Sequence, residues 1–359
     1  MLVDAGSAND RQPMADTEQR PDASRSAGEW IALYIERAMA PAAPRLDYAL
    51  LTHYHADHMG QLTPASKPSA SGAYKRTGIT DVGASISITR LLDRGTSYLV
   101  TDDAMMKNYR AFLAEETKEH GLRNEAFRPG SASQITMMKD AAKYPTFEVR
   151  NVAANGIVWT GEREETRSLF PALETLAPED KPSENMCSIG LRIRYGRFSY
   201  FTGGDMPGIP DAGAPEWQSV ERAVAKAIGA TTVHVANHHG SIDPESAAFL
   251  ATLRSPVMIL PAWSVTHPSQ DSLKRMLATR LYPGPHDVYV TTLREAAAKS
   301  IGSRVEQLKA QHGHIVVRVD PGGERFRVYV LDDTQESAPV VTVTTYAIAA
   351  DGTWKVHAK

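Results

Sequence analysis

The chain has 359 residues, of which 42% are hydrophobic and 23% are charged, and its formal net charge is −3. This composition excludes disordered and collagen-like proteins, and the charge does not indicate a nucleic-acid partner, although a local positive groove would be compatible with one. Cys187 is the single cysteine, so an intrachain disulfide and a cysteine-based zinc cluster are both excluded.

The first residues of the chain have a pattern that is unusual for the start of a domain. Val3-Asp4-Ala5-Gly6 indicates the end of a strand that runs into a loop. We therefore expect upstream strands, and any export signal, to be missing from the sequence as given. No stretch is long and apolar enough to span a bilayer, so no membrane partner is expected. The chain is predicted to be cytoplasmic by default and extracytoplasmic if a signal precedes it, and the sequence leaves its oligomeric state open.

A histidine-rich loop carries most of the chemical information. The sequence HYHADH, residues 53–58, follows an apolar run and precedes a glycine, so it lies where a buried strand ends and the chain turns. Imidazoles and carboxylates are typical ligands of zinc, iron and manganese. The alternate spacing of His53 and His55 lets both bind one ion, whereas Asp57 and His58 point toward a second. The loop therefore predicts two metal ions close together.

Regular patterns are sparse between residues 62 and 180. A helix is predicted over 103–120, and His120 at its end is interpreted as a C-terminal residue that interacts with the helix dipole. We interpret 62–180 as an insertion after the metal loop that shapes the substrate pocket, because long irregular segments in a compact domain are usually functional or mobile.

Two later strand ends carry metal-binding residue types. One strand pattern ends in Gly203-Gly204-Asp205, and the strand over 231–236 ends in Asn237-His238-His239. In open α/β sheets the loops at the carboxyl ends of strands gather in one crevice, so these residues are expected to converge with the histidine loop. Near the C-terminus, the pattern predicts a hairpin of strands 315–319 and 326–331 and a further strand over 340–348.

Together these motifs resemble the metallo-β-lactamase superfamily. The Asp4-Ala5-Gly6 start, the HxHxDH loop, Gly204-Asp205 after a hairpin strand and the late His239 occur in the order of that family. Within it, the segments 201–205 and 237–241 are most similar to the hydrolase domain of bacterial DNA-uptake channel proteins and to phosphorylcholine esterases. The resemblance covers roughly residues 1–61 and 185–320.

The resemblance implies an α/β fold, namely a four-layered αββα sandwich that lacks its first N-terminal strands and holds two metals at one edge. It implies a hydrolase domain over 1–331, which includes the 62–180 insertion, and a C-terminal β extension over 332–359. The family usually has a further histidine between the first motif and the bridging aspartate. Because His120 is the only histidine in that interval, the first ion is expected to be weakly bound or completed by water.

The ligands implied by the resemblance come from all three strand ends. Asp4 would hold a ligand imidazole or the loop in place without binding metal itself. The choice of His239 over His238 rests on the pattern in the esterase branch. The implied ligands are His53 and His55 for the first ion, Asp57, His58 and His239 for the second, and Asp205 for both.

The implied chemistry is hydrolysis assisted by two divalent cations, zinc in the first place and otherwise manganese or iron. Such cations lower the pKa of a water, so that hydroxide exists near neutral pH. Asp57 would orient this hydroxide, and His267 or His238 would bind a substrate oxygen or protonate the leaving group, with a structural role open for both histidines. Asn185 and Asn237 are candidate substrate donors, with a turn or strand-end role as the alternative.

Small phosphoester or phosphodiester substrates are favoured by the branch resemblance and by the suitability of paired metals for phosphoryl transfer. Hydrolysis of lactones, thioesters or β-lactams at the same site is the first alternative, and a non-catalytic metal-binding module is the second. An electron-transfer diiron protein is disfavoured, because those relatives usually carry Glu where this chain has His55.

Overall fold

The computed structural model describes residues 1–7, 18–96, 98–350 and 354–358. The chain divides into two compact units, Met1–Phe127 and Arg128–Lys359. Each unit combines helices with β-sheet, so the predicted α/β class is confirmed, and this composition is consistent with the four-layered αββα sandwich. In the described part of the chain, every helix is too short or too polar to cross a lipid bilayer.

The first unit is built on a four-stranded parallel sheet. Helices connect its strands across the sheet, and the two central strands are more buried than the two edge strands. In sheet order the strands are β1 (Leu2–Val3), β2 (Arg45–Leu50), β3 (Ser87–Asp93) and β4 (Arg123–Ala126). The helices of this unit are α1 (Ala27–Met39), α2 (Ala56–Met59), α3 (Ile79–Ser85) and α4 (Ala104–His120).

The helix predicted over 103–120 is confirmed as α4. Asp103 caps its first turn by accepting a hydrogen bond from the backbone N–H of Met106 at 2.9 Å, and Gly121 ends it in the left-handed conformation. Tyr109 and Phe112 point into the core of the unit. His120 lies in the last turn and pairs with Glu116 one turn earlier, at 2.8 Å, which agrees with its interpretation as a helix C-terminal residue.

The second unit contains an eight-stranded mixed sheet in the order β12-β11-β10-β9-β8-β5-β6-β7. Strands β5 to β9 pair antiparallel, whereas β9 to β12 pair parallel. The antiparallel part consists of β5 (Glu148–Ala154), β6 (Ile157–Trp159), β7 (Thr166–Ser168), β8 (Gly190–Tyr195) and β9 (Phe198–Thr202). The parallel part adds β10 (Val233–Val235), β11 (Val257–Leu260) and β12 (Asp287–Val290).

The parallel part of this sheet explains where its functional loops lie. Because β9, β10 and β11 are adjacent and parallel, the loops after their carboxyl ends emerge at one edge of the sheet. These are the loops that carry Asp205, His239 and His267. The helices of the unit are α5 (Val220–Ile228), α6 (Ala247–Leu253), α7 (Gln270–Met276) and α8 (Glu295–Ile301).

A second, antiparallel sheet completes this unit. The predicted hairpin and the following strand are confirmed, and a fourth strand extends the sheet. Phe326 and Tyr346 share a core cluster with Val257 of β11, so this sheet packs on the parallel strands. Pairing continues across the predicted domain boundary at 331, and that boundary stays a prediction. The strands are β13 (His314–Val319), β14 (Arg325–Leu331), β15 (Val340–Ile348) and β16 (Trp354–Ala358).

Residues 62–180 hold more regular structure than their sequence pattern indicates. They supply α3, β3, α4 and β4 to the first unit and β5 to β7 to the second. Their buried parts, such as Leu91-Leu92 in β3, are too short to show a period, which is why the pattern does not distinguish these strands from irregular segments. The pocket-shaping role of this segment stays a prediction.

Candidate metal centre

The backbone of the histidine loop is fixed by the first strand of the chain. The N–H of Asp4 donates to the carbonyl of Leu50 at 2.8 Å, and the N–H of Ala5 donates to the carbonyl of His58 at 3.0 Å. Gly6 lies so close to the loop that an added Cβ would stand 1.7 Å from the carbonyl oxygen of Asp57. The Asp4-Ala5-Gly6 segment therefore packs directly under the loop, and only glycine fits at its end.

His53 and His55 direct ring nitrogens toward each other. His53 Nε2 lies 3.1 Å from His55 Nδ1, and His53 is completely buried whereas His55 is exposed. Two nitrogens bound to one tetrahedral zinc ion at 2.0–2.1 Å would be about 3.3 Å apart. The pair is therefore spaced as two ligands of one ion. Asp57 and His58 form the other pair of the loop, with His58 Nε2 at 3.8 Å from Asp57 Oδ2.

Asp4 controls the orientation of His58. Its Oδ1 accepts a hydrogen bond from the backbone N–H of Thr52 at 2.7 Å, and its Oδ2 accepts one from Thr52 Oγ1 at 2.8 Å. The same Oδ2 lies 2.8 Å from His58 Nδ1. A carboxylate at this distance places the imidazole proton on Nδ1, so the lone pair of Nε2 points toward Asp57 and can bind a metal. Asp4 thus contacts both a candidate ligand and the loop.

In the second unit, Asp205 and His239 lie side by side. Asp205 follows β9, is buried, and its backbone N–H donates to Ser188 Oγ at 3.1 Å. His239 Nδ1 is 2.9 Å from the carbonyl oxygen of Pro261, which can only accept, so the proton is on Nδ1. His239 Nε2 then faces Asp205 Oδ2 at 3.5 Å. As at His58, a fixed acceptor on Nδ1 presents Nε2 for metal binding.

The turn that carries His239 has an unusual backbone. His238 and His239 have φ values of 45° and 53°, in the left-handed region that non-glycine residues rarely adopt. The backbone N–H of His238 donates to the carbonyl of Gly204 at 3.0 Å, and Ser241 N–H closes the turn on the carbonyl of His238 at 2.8 Å. Such strain persists only where neighbouring contacts hold it, and it is common at functional sites.

Both ring nitrogens of His238 lie near side chains of the protein. Its Nδ1 lies 2.9 Å from Asp243 Oδ1, and its Nε2 lies 3.1 Å from Asn185 Nδ2. Burial lowers the pKa of His238, but the hydrogen bond with Asp243 and the charge of Asp205 outweigh it, so the net pKa is raised. Of the two adjacent histidines, it is therefore His239 that pairs with Asp205.

The remaining predicted residues have different surroundings. His267 is buried and stacks on His239, with ring centroids 5.0 Å apart and an interplanar angle of 15°. Asn185 touches His238, whereas Asn237 is completely buried and donates from Nδ2 to Glu221 Oε1 at 2.8 Å. Burial and this bond favour the strand-end alternative for Asn237 over contact with substrate.

Sequence reasoning missed Thr52 and a buried acidic network in the second unit. Thr52 Oγ1 lies within 3.3 Å of the Nδ1 atoms of both His53 and His58, and its place beside the motif could have suggested this. Glu221 and Glu245 are completely buried behind the His239 turn. Nothing in their sequence context distinguishes them from ordinary helix and loop carboxylates.

Comparison with known protein families gives a match within the first unit. Residues 1–68, which contain Asp4 and the histidine loop, match the metallo-beta-lactamase superfamily. The match is confined to these first 68 residues. The resemblance stated for the sequence is thereby confirmed at superfamily level, while the two branches stay predictions. A search of curated proteins finds no match.

Solved structures with low sequence identity also align with the chain. A protein of Parabacteroides distasonis ATCC 8503 described as a metal-dependent hydrolase is 12% identical, with 70% of this chain and 78% of that chain covered and a TM-score of 0.34. A variant of the CmlA β-hydroxylase is 11% identical, with coverages of 77% and 44% and a TM-score of 0.35. A diphosphatase of the PhnP family is 13% identical, with coverages of 78% and 72% and a TM-score of 0.28. Similarity at this level carries no functional conclusion.

Proposed function

We propose that the chain is a metal-dependent hydrolase that uses two divalent ions, zinc in the first place, to cleave a phosphoester or phosphodiester. The observation that carries the proposal is the way His58 and His239 are held. Each Nδ1 is hydrogen-bonded to a fixed oxygen, of Asp4 and of Pro261, so that each Nε2 is presented as a ligand. A purely structural role would not require both histidines to have an acceptor on Nδ1 and to present Nε2 to a carboxylate.

The donor set fits borderline divalent metals. Imidazoles and carboxylates without a thiolate suit zinc, manganese and iron. In the proposal, His53 and His55 would hold one ion, Asp57, His58 and His239 would hold the other, and Asp205 would be a ligand of both. The order of these motifs along the chain, and the superfamily match of residues 1–68, support this assignment.

Bound ions would supply an acidified water and polarise the scissile bond. Side chains of the protein would position the water and the substrate and transfer the protons. Asp57 would orient the attacking water and accept its proton. His238, held by Asp243 and Asn185, would bind a substrate oxygen or return a proton to the leaving group. His267 supports His239 through the ring stack.

Metal analysis and a substrate panel test the proposal. Purified protein should contain close to two ions per chain, and chromogenic phosphodiesters or phosphomonoesters should be hydrolysed with zinc or manganese. His55→Ala and Asp205→Ala should each abolish turnover and leave the fold intact by circular dichroism. His120→Ala is the matched control, since this exposed histidine bonds to Glu116 instead.

Other results of these experiments would favour one of the alternatives or refute the proposal. Turnover of lactones, thioesters or β-lactams alone would replace the phosphoester assignment with the alternative substrate class. Two bound ions without any turnover would favour the metal-binding module. Protein that binds no metal under any condition would refute the proposal, and unfolding of both ligand variants would show that these residues are structural.

A further inference from the structure

Four polar side chains lie completely buried behind the His238-His239 turn, within the second unit. They are Glu221, His234, Asn237 and Glu245, each with 0% of its surface exposed. Carboxylates are costly to bury unless every oxygen is hydrogen-bonded, so such a group is retained for a reason. None of the four is among the proposed metal ligands. We refer to them as the buried network.

The buried network bonds to the backbone at both ends of the turn. Glu221 Oε1 accepts from Asn237 Nδ2 and from the N–H of Glu245, both at 2.8 Å, and its Oε2 accepts from the N–H of Ser246 at 3.2 Å. Glu245 Oε1 accepts from the N–H of Asn237 at 3.1 Å, and its Oε2 lies 2.9 Å from His234 Nε2. The two carboxylates therefore tie residue 237 to residues 245 and 246.

The turn between these tied ends contains the strained pair His238 and His239. A left-handed backbone at two successive non-glycine residues would relax if its ends could move. Ties at 237 and at 245 prevent this movement. The position of His239 Nε2 thus depends on the buried network, which holds the backbone at both ends of the turn.

The same network also contacts the segment that carries Asp205. A Cβ added to Gly203 would lie 2.4 Å from Asn237 Oδ1, and one added to Gly208 would lie 2.1 Å from Glu221 Oε2. These two glycines flank Asp205 in sequence. The network is therefore packed between the loop of Asp205 and the turn of His239, and glycine is needed on both sides of Asp205 for the close approach.

We infer that Glu221, through Asn237 and Glu245, is a positioning residue that sets the separation of Asp205 and His239 for the second metal ion. This inference rests on the proposed function. Glu221 touches neither metal nor substrate in this scheme. It acts by fixing two backbone segments. Its loss should therefore weaken binding of the second ion more than it affects the rest of the protein.

Glu221→Gln is the sharpest test, because it keeps the side-chain shape. One of the two oxygens becomes an amide nitrogen that cannot accept, so at least one backbone N–H loses its partner or Asn237 is displaced. Tyr346→Phe is the matched control. It removes a buried hydroxyl that donates to Asp287 at 2.6 Å and contacts Tyr289, in the second sheet of the same unit and away from the turn.

Both variants are titrated with zinc alone against a chelating dye, and with cobalt alone for its visible spectrum, alongside thermal unfolding of the metal-free proteins. We expect Glu221→Gln to bind the second ion at least tenfold more weakly and to shift the cobalt bands, with a smaller loss for the first ion, which shares Asp205 but not His239. Tyr346→Phe should lower the unfolding temperature and keep the affinity for both ions. Equal affinities in Glu221→Gln and wild type would overturn the inference.

Gly203→Ala provides a second route if Glu221→Gln does not fold. The new methyl group would press on Asn237 from the Asp205 side, so the same selective loss of the second ion is expected, and unchanged affinity would count against the inference. Failure of the proposed function is distinguishable, because wild-type protein would then bind no ion at all. If wild type binds two ions and both variants do as well, only the positioning role is refuted.

Discussion

Replacing Asp4 by Asn should reverse the hydrogen-bond direction at His58. The carboxylate accepts from Thr52 N–H, Thr52 Oγ1 and His58 Nδ1 at 2.7 to 2.8 Å. If the amide oxygen of Asn keeps the bond from the Thr52 N–H, the amide NH₂ faces His58 Nδ1 and can only donate to it. The imidazole proton then moves to Nε2, the atom that should bind metal.

The magnitude follows from these contacts. Loss of a partner that orients a ligand histidine typically weakens metal binding by about 10- to 100-fold. Two hydrogen bonds to a charged acceptor are also replaced by neutral bonds of the reversed direction, a difference of about 1 kcal/mol each at the low end, so the free energy of unfolding of the metal-free protein should fall by about 2 kcal/mol. The partial exposure of Asp4 keeps the estimate at this low end.

Three measurements check this prediction. Zinc titration gives the affinity, urea unfolding of metal-free protein gives the stability, and nitrogen NMR of the imidazoles reports which His58 nitrogen carries the proton. Asp47→Asn is the matched control, because Asp47 lies in the same sheet and pairs with Arg45 near the surface. If Asp4→Asn bound zinc as tightly as wild type, or kept the proton on Nδ1, the assigned role of Asp4 would be wrong.

Four further predictions concern other parts of the chain. Gly6→Ala should displace the histidine loop, since the added Cβ would clash with the carbonyl of Asp57, and metal analysis should find less than one ion per chain. Burial and the neighbouring Glu245 raise the pKa of Glu221 to about 8. The unfolded chain therefore releases this proton at lower pH than the folded protein does, so the stability advantage of wild type over Glu221→Gln should shrink as pH rises from about 5 to about 8. Urea unfolding of the metal-free proteins at a series of pH values measures this change. Tyr346→Phe should cost about 1 to 2 kcal/mol of unfolding free energy by the same measurement. His120→Ala should leave metal content unchanged by elemental analysis, and a lost ion would identify His120 as the missing third histidine.

Local sequence signals were sufficient where neighbouring residues in the chain decide the structure. The helix over 103–120 depends on the Asp103 cap and the Gly121 stop, both readable in the sequence. The C-terminal hairpin depends on alternating apolar residues and a tight turn. Residues 62–180 were different, because their short buried strands form only by pairing with distant strands, and an apolar run of three or four residues has no period to detect.

The sequence by itself determined the chemistry of the site. The residue types and spacing in the loop 53–58 predict imidazole and carboxylate ligands, and nothing in the fold is needed for that prediction. Only the tertiary structure decided which atoms of these residues are presented. His239 is distinguished from His238 by the carbonyl of Pro261, and His58 is oriented by Asp4, 54 positions earlier in the chain. The physical reason is that an acceptor on one ring nitrogen fixes the tautomer and orientation in which the other nitrogen is presented, and folding brings those acceptors from distant segments.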